Sequence, residues 1–266
     1  MAILKSPKPF KNIAGCKAKT SGTGHSIIGL WLRSGLFFLA FNLTLLVQGI
    51  LSLPLLPLPL AIVRPFVLSW IAMQFWFLRH ICGLGFRLEG LDNIPNQPVI
   101  LASKHESAWD TFVFLHLASD PAYVLKQELF HVPFYGWWGR KMGMIGVDRG
   151  GHSAALRKLL SESKSALESG RHLVIFPQGT RTMAGSGKPY QAGVYAIYRD
   201  SRVAVVPVAL NSGLFWPKRS LKRFPGTITL SFLPAIPPGL GRAEFMARLE
   251  QQLEGESLRL QNSPNG

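Results

Sequence analysis

A histidine and an aspartate that could act together in proton transfer stand at His105 and Asp110. Histidine takes up a proton near neutral pH, and a carboxylate bonded to its far ring nitrogen fixes the tautomer and stabilises the imidazolium. Five residues along a regular helix rotate a side chain by about 500°, so two such residues on one helix would point roughly 140° apart. The spacing therefore predicts His105 in a loop and Asp110 in the first turn of the next helix. Taken alone, the pair also fits a buried histidine bonded to a helix-capping aspartate.

The elements that would hold this pair are indicated by apolar patterning. Helical patterns are clearest over Ser153 to Ser169 and in a final amphipathic segment at about Arg242 to Leu260. The alternation of these with short apolar runs predicts an α/β fold with a mixed, largely parallel sheet flanked by helices. The predicted strands are Val99 to Ala102, Tyr123 to Leu125, Met144 to Val147, His172 to Phe176, Val203 to Leu210 and Thr227 to Phe232.

Three groups of polar residues each follow a predicted strand: His105, Arg149 and the turn Gly179-Thr180-Arg181. Ligands bind beyond the carboxyl ends of strands in open α/β sheets, so these groups are expected at one edge of the sheet. An arginine fork can hold a phosphate through two hydrogen bonds, and a glycine lets backbone N–H groups approach an oxyanion. For Arg149, a salt bridge to Asp148 or a solvated surface position is the alternative.

Four sequence blocks follow one another along the chain. They are the H-x4-D stretch Lys104 to Asp110, the G-x-I-x-x-x-R stretch Gly143 to Arg149, the F-P-E-G-T-R-like stretch Phe176 to Arg181, and Val206-Pro207-Val208. In this order they resemble the glycerolipid acyltransferase family, most of all its 1-acylglycerol-3-phosphate acyltransferases. The resemblance covers roughly residues 95 to 215, and four blocks in order are far more specific than any one alone.

The resemblance implies that a fatty acyl group passes from acyl-CoA or acyl-carrier protein to the 2-hydroxyl of 1-acylglycerol 3-phosphate, forming phosphatidic acid. It implies catalysis by His105 and Asp110 without metal or other cofactor. Glycerol 3-phosphate, another lysophospholipid or a lyso-ornithine-type lipid remain open as acceptors. The implied head-group residues are Arg149, Gly179, Thr180 and Arg181, with possible supporting roles for Lys104, Lys126, Gln178 and Pro207.

Two residues depart from the family pattern. Gln178 stands where the third block usually carries glutamate, so any role of that side chain cannot be ionic, although amide hydrogen bonds could preserve the geometry. Glu106 is acidic where family members commonly carry a small or amide residue. It is expected to face solvent rather than to compete with Asp110 for His105.

The composition fits a protein with an anionic partner and a membrane element. The chain of 266 residues is 47% hydrophobic and carries a formal net charge of +15. Such a charge suits anionic lipid surfaces, phosphorylated substrates, an acidic carrier protein or nucleic acid. Two cysteines, Cys16 and Cys82, have no ligand-like spacing, so neither a disulfide framework nor a metal site is predicted.

The N-terminal third divides into a basic arm, residues 1–33, and a hydrophobic hairpin, residues 34–82. The uncharged run Gly35 to Leu53 is long enough for a bilayer core, whereas Pro65 to Leu78 is short for a span. A helical hairpin that enters the membrane and returns would keep the acyltransferase domain, residues 83–261, beside cytoplasmic donors. We expect a bacterial-type inner or cytoplasmic membrane location, with residues 262–266 as a tail. A buried hairpin of a soluble protein is the alternative.

Two other classes of function fit the sequence less well. A membrane-anchored nucleic-acid-binding protein would need basic residues interleaved with stacking aromatics or a recognition motif, and the sequence has neither, so nucleic acid is not an expected partner. A non-catalytic scaffold is hinted at only by Gln178, and the intact His105 and Asp110 argue against it. The expected partners are membrane lipids, a lysophospholipid acceptor and the acyl donor.

Overall fold

The structure, a computed structural model, describes residues 27–262 except 119, 149, 151, 184, 185 and 187. Arg149, most of the predicted basic arm and the last four residues of the predicted tail lie outside these residues. The helices are α1 Ile27–Leu51, α2 Leu60–Cys82, α3 Trp109–Leu117, α4 Tyr135–Lys141, α5 His152–Glu168, α6 Ala192–Ser201, α7 Ser212–Phe215 and α8 Arg242–Asn262. The strands are β1 Leu84–Glu89, β2 Ile100–Ser103, β3 Ala122–Lys126, β4 Ile145–Val147, β5 Leu173–Ile175, β6 Val205–Leu210 and β7 Gly226–Phe232.

The strands form one seven-stranded sheet in the order β1-β7-β6-β2-β5-β3-β4. All neighbouring strands run parallel except β6 and β7, which are antiparallel. The predicted mixed, largely parallel sheet is confirmed, and all six predicted strands occur within one or two residues of their predicted bounds. The strand β1 was missed, although Leu84, Phe86 and Leu88 alternate as a strand requires.

Two apolar layers cover the sheet. One face packs against α2 and α3 and includes Trp109 and Val113, while the other face packs against α5, α6 and α8 and includes Leu249 and Leu253. The predicted final helix, α8, therefore packs on the sheet through its apolar side. The central strand β2 lies between both layers, and all four of its residues are buried. The loop that carries His105 therefore begins directly after a fully buried strand, which holds the start of the loop in place.

The hydrophobic N-terminal region forms the predicted helical hairpin. Helix α1 begins at Ile27, so the last seven residues of the predicted arm are helical, and α2 starts before Arg64 and includes Pro65. Both helices are long and apolar enough to cross a membrane by length and composition. The second helix is longer than its uncharged run because Arg64 lies within it, where its guanidinium pairs with Asp120 of the α/β domain at 3.0 Å.

Candidate active site

The predicted histidine and aspartate pair forms in the structure. His105 lies in the loop after β2, and Asp110 lies in the first turn of α3, as the spacing required. The distance from His105 Nδ1 to Asp110 Oδ2 is 3.0 Å. An ionised carboxylate only accepts hydrogen bonds, so Nδ1 carries the proton and Nε2 of the neutral ring is left as the proton acceptor. The His105 ring also stacks on Phe176, with ring centroids 4.2 Å apart.

The loop between His105 and Asp110 folds around the Asp110 carboxylate and donates hydrogen bonds to it. Asp110 Oδ2 accepts the backbone N–H groups of Glu106 at 2.6 Å and Ser107 at 2.8 Å. Asp110 Oδ1 accepts the hydroxyls of Ser107 at 3.1 Å and Ser212 at 2.5 Å. These directional bonds hold a fully buried carboxylate in one orientation, which in turn fixes the imidazole plane. The alternative of a helix-capping aspartate bonded to a buried histidine accounts for these bonds. It does not explain why His105 also lines a cavity.

The loop after β5 lies beside the histidine loop because β5 and β2 are neighbouring strands. The backbone N–H of Thr182 donates to the carbonyl oxygen of His105 at 2.7 Å, which joins the two loops directly. Gly179 has φ +65°, a left-handed conformation that favours glycine, and its N–H donates to Phe176 within the turn at 2.9 Å. Gly179 therefore shapes the turn that presents Thr180 and Arg181 to the cavity.

A cavity of about 1060 Å³ opens between this sheet edge and the hairpin. His105, Thr180 and Arg181 line one side of it. The remaining wall is mainly apolar and comes from α1, α2, α3 and the segment around α4, with further residues from β3, α5 and α6. Of the aromatic residues near α4, Phe134, Tyr135 and Trp138 line the cavity, whereas Phe130 is buried below the guanidinium of Arg140. The main lining residues of the apolar wall are Phe41, Leu45, Trp70, Phe112, Leu115 and Trp138.

Cations dominate the charged side chains that line the cavity. Lys126, at the end of β3, joins Arg181 there, and Lys218 and Arg219 line it from the loop after α7. The Lys218 ammonium donates to the carbonyl oxygen of Arg181 at 3.0 Å, and Arg219 has φ +60°. Asp148 is the acidic member among the described lining residues. The cavity therefore combines a proton acceptor, a long apolar wall and a cationic region, which suits a ligand with an anionic head and an apolar tail.

Three predicted supporting residues lie away from the cavity. Lys104 is fully buried and its ammonium pairs with Glu254 of α8, while Gln178 Nε2 donates to the same carboxylate at 3.2 Å. Pro207 lies inside β6 opposite Ala102 of β2, so its place is in the sheet beneath the site. The structure therefore brings His105 and the Gly179-Thr180-Arg181 turn to one sheet edge, as expected from their positions after strands, together with Asp110 and Lys126, and it puts Lys104, Gln178 and Pro207 behind that edge.

The expectation that Glu106 faces solvent is wrong. Glu106 is 1% exposed, and its carboxyl accepts the backbone N–H of Gly213 at 3.0 Å and the side-chain amide of Gln261 at 3.2 Å. Burial, together with the negative charge of the nearby Asp110, raises the pKa of Glu106 to about 8, although the bond from Gly213 acts in the opposite direction. The error arose because the sequence of a loop does not indicate which of its side chains other parts of the fold will bury.

Sequence reasoning also missed Ser212 and Glu254. Both lie far along the chain from the residues that they contact, and a lone serine or a helical glutamate carries no local signature. Within the described residues no group of three histidine, cysteine, aspartate or glutamate side chains could hold a metal ion. The chemistry that the described residues can perform is the removal of a proton from a hydroxyl held near His105.

Known proteins resemble this chain in sequence and in fold. Residues 85–211 match the family model described as Acyltransferase. The chain is 34% identical over 226 residues to a 1-acyl-sn-glycerol-3-phosphate acyltransferase of Pseudomonas aeruginosa, covering 84% of this chain and 88% of that protein. It is 30% identical to a lyso-ornithine lipid O-acyltransferase of the same organism, over 66% of this chain and 74% of that protein. The crystal structure of the LPA acyltransferase PlsC from Thermotoga maritima has the same fold, with a TM-score of 0.69 and 23% identity over 88% of this chain and 96% of that one.

Proposed function

Because this chain belongs to the acyltransferase family and is an O-acyltransferase, most like the 1-acylglycerol-3-phosphate acyltransferases, we propose that it acylates the 2-hydroxyl of 1-acylglycerol 3-phosphate at a membrane surface. The acyl donor is acyl-CoA or acyl-carrier protein, and the product is phosphatidic acid. The observation that carries this proposal is the cavity that holds His105 and Arg181 on one side and a long apolar wall on the other. No resident cofactor or metal enters the proposed reaction, because a thioester is already an activated acyl group.

His105 acts as the general base. Its Nε2 takes the proton of the acceptor hydroxyl as the oxygen attacks the thioester carbonyl carbon, and Asp110 stabilises the imidazolium that forms. When the tetrahedral intermediate collapses, the C–S bond breaks and the sulfur leaves with the proton returned by His105. General-base assistance of this kind contributes about 10²–10⁴-fold, and the alignment of two substrates in one cavity contributes further.

The cationic part of the cavity suits the acceptor's phosphate. Arg181 can hold a phosphate through two hydrogen bonds, and Thr180 adds a hydroxyl donor next to it. Arg149, which follows β4 in the sequence, is proposed as a second ligand on the basis of its sequence position alone. The apolar wall suits fatty acyl chains, because each methylene taken out of water contributes about 0.8 kcal/mol.

The hairpin is proposed to lie in one leaflet of the membrane with the catalytic domain on the cytoplasmic side. Its tip is tied to the catalytic domain, since Trp138 Nε1 donates to Ser52 Oγ at 2.9 Å and Lys141 Nζ donates to the carbonyl of Leu56 at 2.8 Å. The ion pair between Arg64 of α2 and Asp120 is a further contact between the hairpin and the catalytic domain. A hairpin whose tip is tied to the domain favours an embedded position over a span. Its outer face carries exposed apolar side chains, among them Ile28, Leu32, Leu36, Leu39, Leu43 and Leu46.

The proposal is tested by acyl transfer in vitro. The full-length protein in detergent micelles is supplied with labelled oleoyl-CoA or oleoyl-acyl-carrier protein and a panel of acceptors that includes glycerol 3-phosphate, other lysophospholipids and a lyso-ornithine lipid. We expect the fastest transfer to 1-acylglycerol 3-phosphate, and His105→Ala should lose most of it. The exposed His131 gives the matched control, and His131→Ala should behave as the unaltered protein. Faster transfer to the lyso-ornithine lipid would move the acceptor assignment, and no transfer to any acceptor would contradict the proposal.

Membrane attachment is tested separately by flotation of the protein with vesicles and by protease protection. A hairpin in one leaflet is protected from protease on the cytoplasmic side and leaves no segment accessible from the opposite side. Digestion of the hairpin as freely as a soluble loop, or cleavage from the opposite side, would contradict this arrangement.

A further inference from the structure

We propose that Glu254, on the C-terminal helix α8, is a positioning residue that holds the catalytic histidine and the loop with Arg181 in register. The inference rests on the proposed function, because its main readout is acyl transfer. It concerns the side of the sheet edge opposite the cavity, where one carboxylate joins the residues that immediately precede His105 and Gly179.

The first observation is the pairing of a fully buried cation. Lys104 is 0% exposed, and its ammonium contacts Glu254 Oε1. A buried ammonium is strongly destabilising unless it is paired and hydrogen-bonded, so Glu254 is required to keep this side chain in place. Because Lys104 directly precedes His105, a movement of Lys104 displaces the backbone that carries the imidazole.

The second observation is that the same carboxylate oxygen reaches the neighbouring loop. Gln178 Nε2 donates to Glu254 Oε1 at 3.2 Å, and the hydroxyl of Tyr190 donates to it at 2.9 Å. Burial raises the pKa of Tyr190, and the Glu254 carboxylate raises it further, so the hydroxyl remains a donor. Gln178 directly precedes Gly179 and the turn that presents Arg181. One oxygen thus fixes the spacing between the base and the anion-binding arginine.

The third observation is that α8 holds the histidine loop on both sides of His105. Glu254 contacts Lys104, and Gln261, two turns further along α8, donates to Glu106 at 3.2 Å. The side chains of residues 104 and 106 therefore point to α8 while that of His105 points to the cavity. A displacement of about 1 Å at such a site can cost about 10²-fold in rate, which is why a residue that touches no substrate can control turnover.

The identity of residue 178 follows from this arrangement. An amide at this position donates to the Glu254 carboxylate, whereas a second carboxylate would face it at the same distance and repel it. The chain therefore places its carboxylate on α8 and an amide in the loop, and the cluster holds one negative charge for the one positive charge of Lys104. This explains how Gln178 is compatible with the motif in which glutamate is usual.

Charge exchange between the two positions tests the inference. The variants Glu254→Gln, Gln178→Glu and the double variant are compared with the unaltered protein for kcat, for the KM of the lysophospholipid acceptor, and for unfolding temperature. We expect each single variant to lose about tenfold or more in kcat with little change in KM, because a misplaced base slows chemistry more than binding. The double variant restores one carboxylate beside Lys104 and should recover to within about threefold. Glu244→Gln, an exposed change at the start of α8, is the matched control.

The pH dependence gives a second readout. The kcat of Gln178→Glu, expressed as a fraction of the kcat of the unaltered protein at the same pH, should fall with rising pH, because protonation of one of two facing carboxyls relieves their repulsion. A double variant whose loss equals the product of the single losses would overturn the inference. A Glu254→Gln protein with a lowered unfolding temperature but normal kcat would also overturn it, since the cluster would then only stabilise the fold.

Failure of the proposed function is distinguishable from failure of the inference. The first shows as an absence of acyl transfer by the unaltered protein. The second is judged from ratios among the variants, and the unfolding temperatures of the same four proteins show whether residues 178 and 254 are coupled even if the reaction is a different one.

Discussion

The two walls of the cavity are built in different ways. The polar wall is held by directional hydrogen bonds, and Asp110 alone accepts bonds from two backbone N–H groups, two hydroxyls and the His105 ring. The apolar wall is held by packing of rings, such as Phe41 on Trp70 at 5.2 Å and Trp70 on Phe112 at 5.7 Å between centroids. Directional bonds fix atoms for chemistry, whereas packing fixes a volume. Substitutions in the first wall should therefore change the rate or the affinity for the acceptor's head group, and those in the second should change which acyl chain is preferred.

The largest effect is expected for Asp110→Asn. The asparagine oxygen can occupy the place of Asp110 Oδ2 and keep the bonds from Glu106, Ser107 and His105, while its NH₂ group faces the two serine hydroxyls. The tautomer of His105 is then preserved and only the negative charge that stabilises the imidazolium is lost. We expect kcat to fall by about 10²–10⁴-fold with little change in fold.

Steady-state kinetics and circular dichroism check this result, with the exposed Glu168→Gln at the end of α5 as the matched control. A rate within about threefold of the unaltered protein would show that the aspartate only orients the ring. The polar wall would then affect the rate through the geometry of its hydrogen bonds and not through the charge of Asp110.

The next effect is expected for Arg181→Lys. Lysine keeps the charge but cannot offer the planar fork that binds two phosphate oxygens at once. We expect the KM of the lysophospholipid acceptor to rise by roughly ten- to a hundredfold, with a smaller change in kcat, in agreement with a loss of about 1.5–3 kcal/mol for one charged hydrogen bond. Arg157→Lys, on the exposed side of α5, is the control. An unchanged KM together with a lowered kcat would place Arg181 at the reacting groups instead of the head group.

The polar wall was largely predictable from the sequence, and the apolar wall was not. His105 and Asp110 carry their geometry in their spacing, and the rule that ligands lie beyond strand ends brought the turn at Arg181 to the same edge. The hairpin was found from its uncharged runs, but nothing in those runs indicated that Phe41 and Trp70 would face the active site. The ties behind the site, such as Glu254 to Lys104 and Ser212 to Asp110, were missed because they join residues more than a hundred positions apart.

A smaller effect is expected for Trp70→Leu in the apolar wall. The indole of Trp70 lies between Phe41 and Phe112, and its Nε1 is buried without a hydrogen-bond partner among the described residues, so leucine removes volume without breaking a polar contact. We expect kcat with oleoyl donors to stay within about threefold, and the kcat/KM ratio of long to short acyl donors to rise by roughly tenfold. Trp76→Leu on the exposed face of the same helix is the control. Equal ratios for both variants would show that acyl chains do not contact this wall.

The smallest effect concerns the stability of the polar wall, through Glu106→Gln. Because burial raises the pKa of Glu106 to about 8, the folded protein holds a proton that the unfolded chain releases near its ordinary value of 4.5. The stabilising contribution of the neutral carboxyl is complete below pH 4.5 and is lost as the pH rises towards 8.

Glutamine cannot ionise, and it can still accept the N–H of Gly213, so the variant should not share this loss. One pKa unit corresponds to about 1.4 kcal/mol, and one kcal/mol shifts the unfolding temperature of a chain of this size by about 2–4 °C. The unfolding temperature of Glu106→Gln, measured in detergent, should therefore match that of the unaltered protein near pH 5 and exceed it by several degrees at pH 8. Parallel curves over this range would mean that Glu106 is already ionised in the folded protein and that Gly213 and Gln261 stabilise its charge. The polar wall would then hold the ionised carboxylates of both Glu106 and Asp110 without a loss of stability. That result would contradict the inference that Glu106 is neutral in the folded protein.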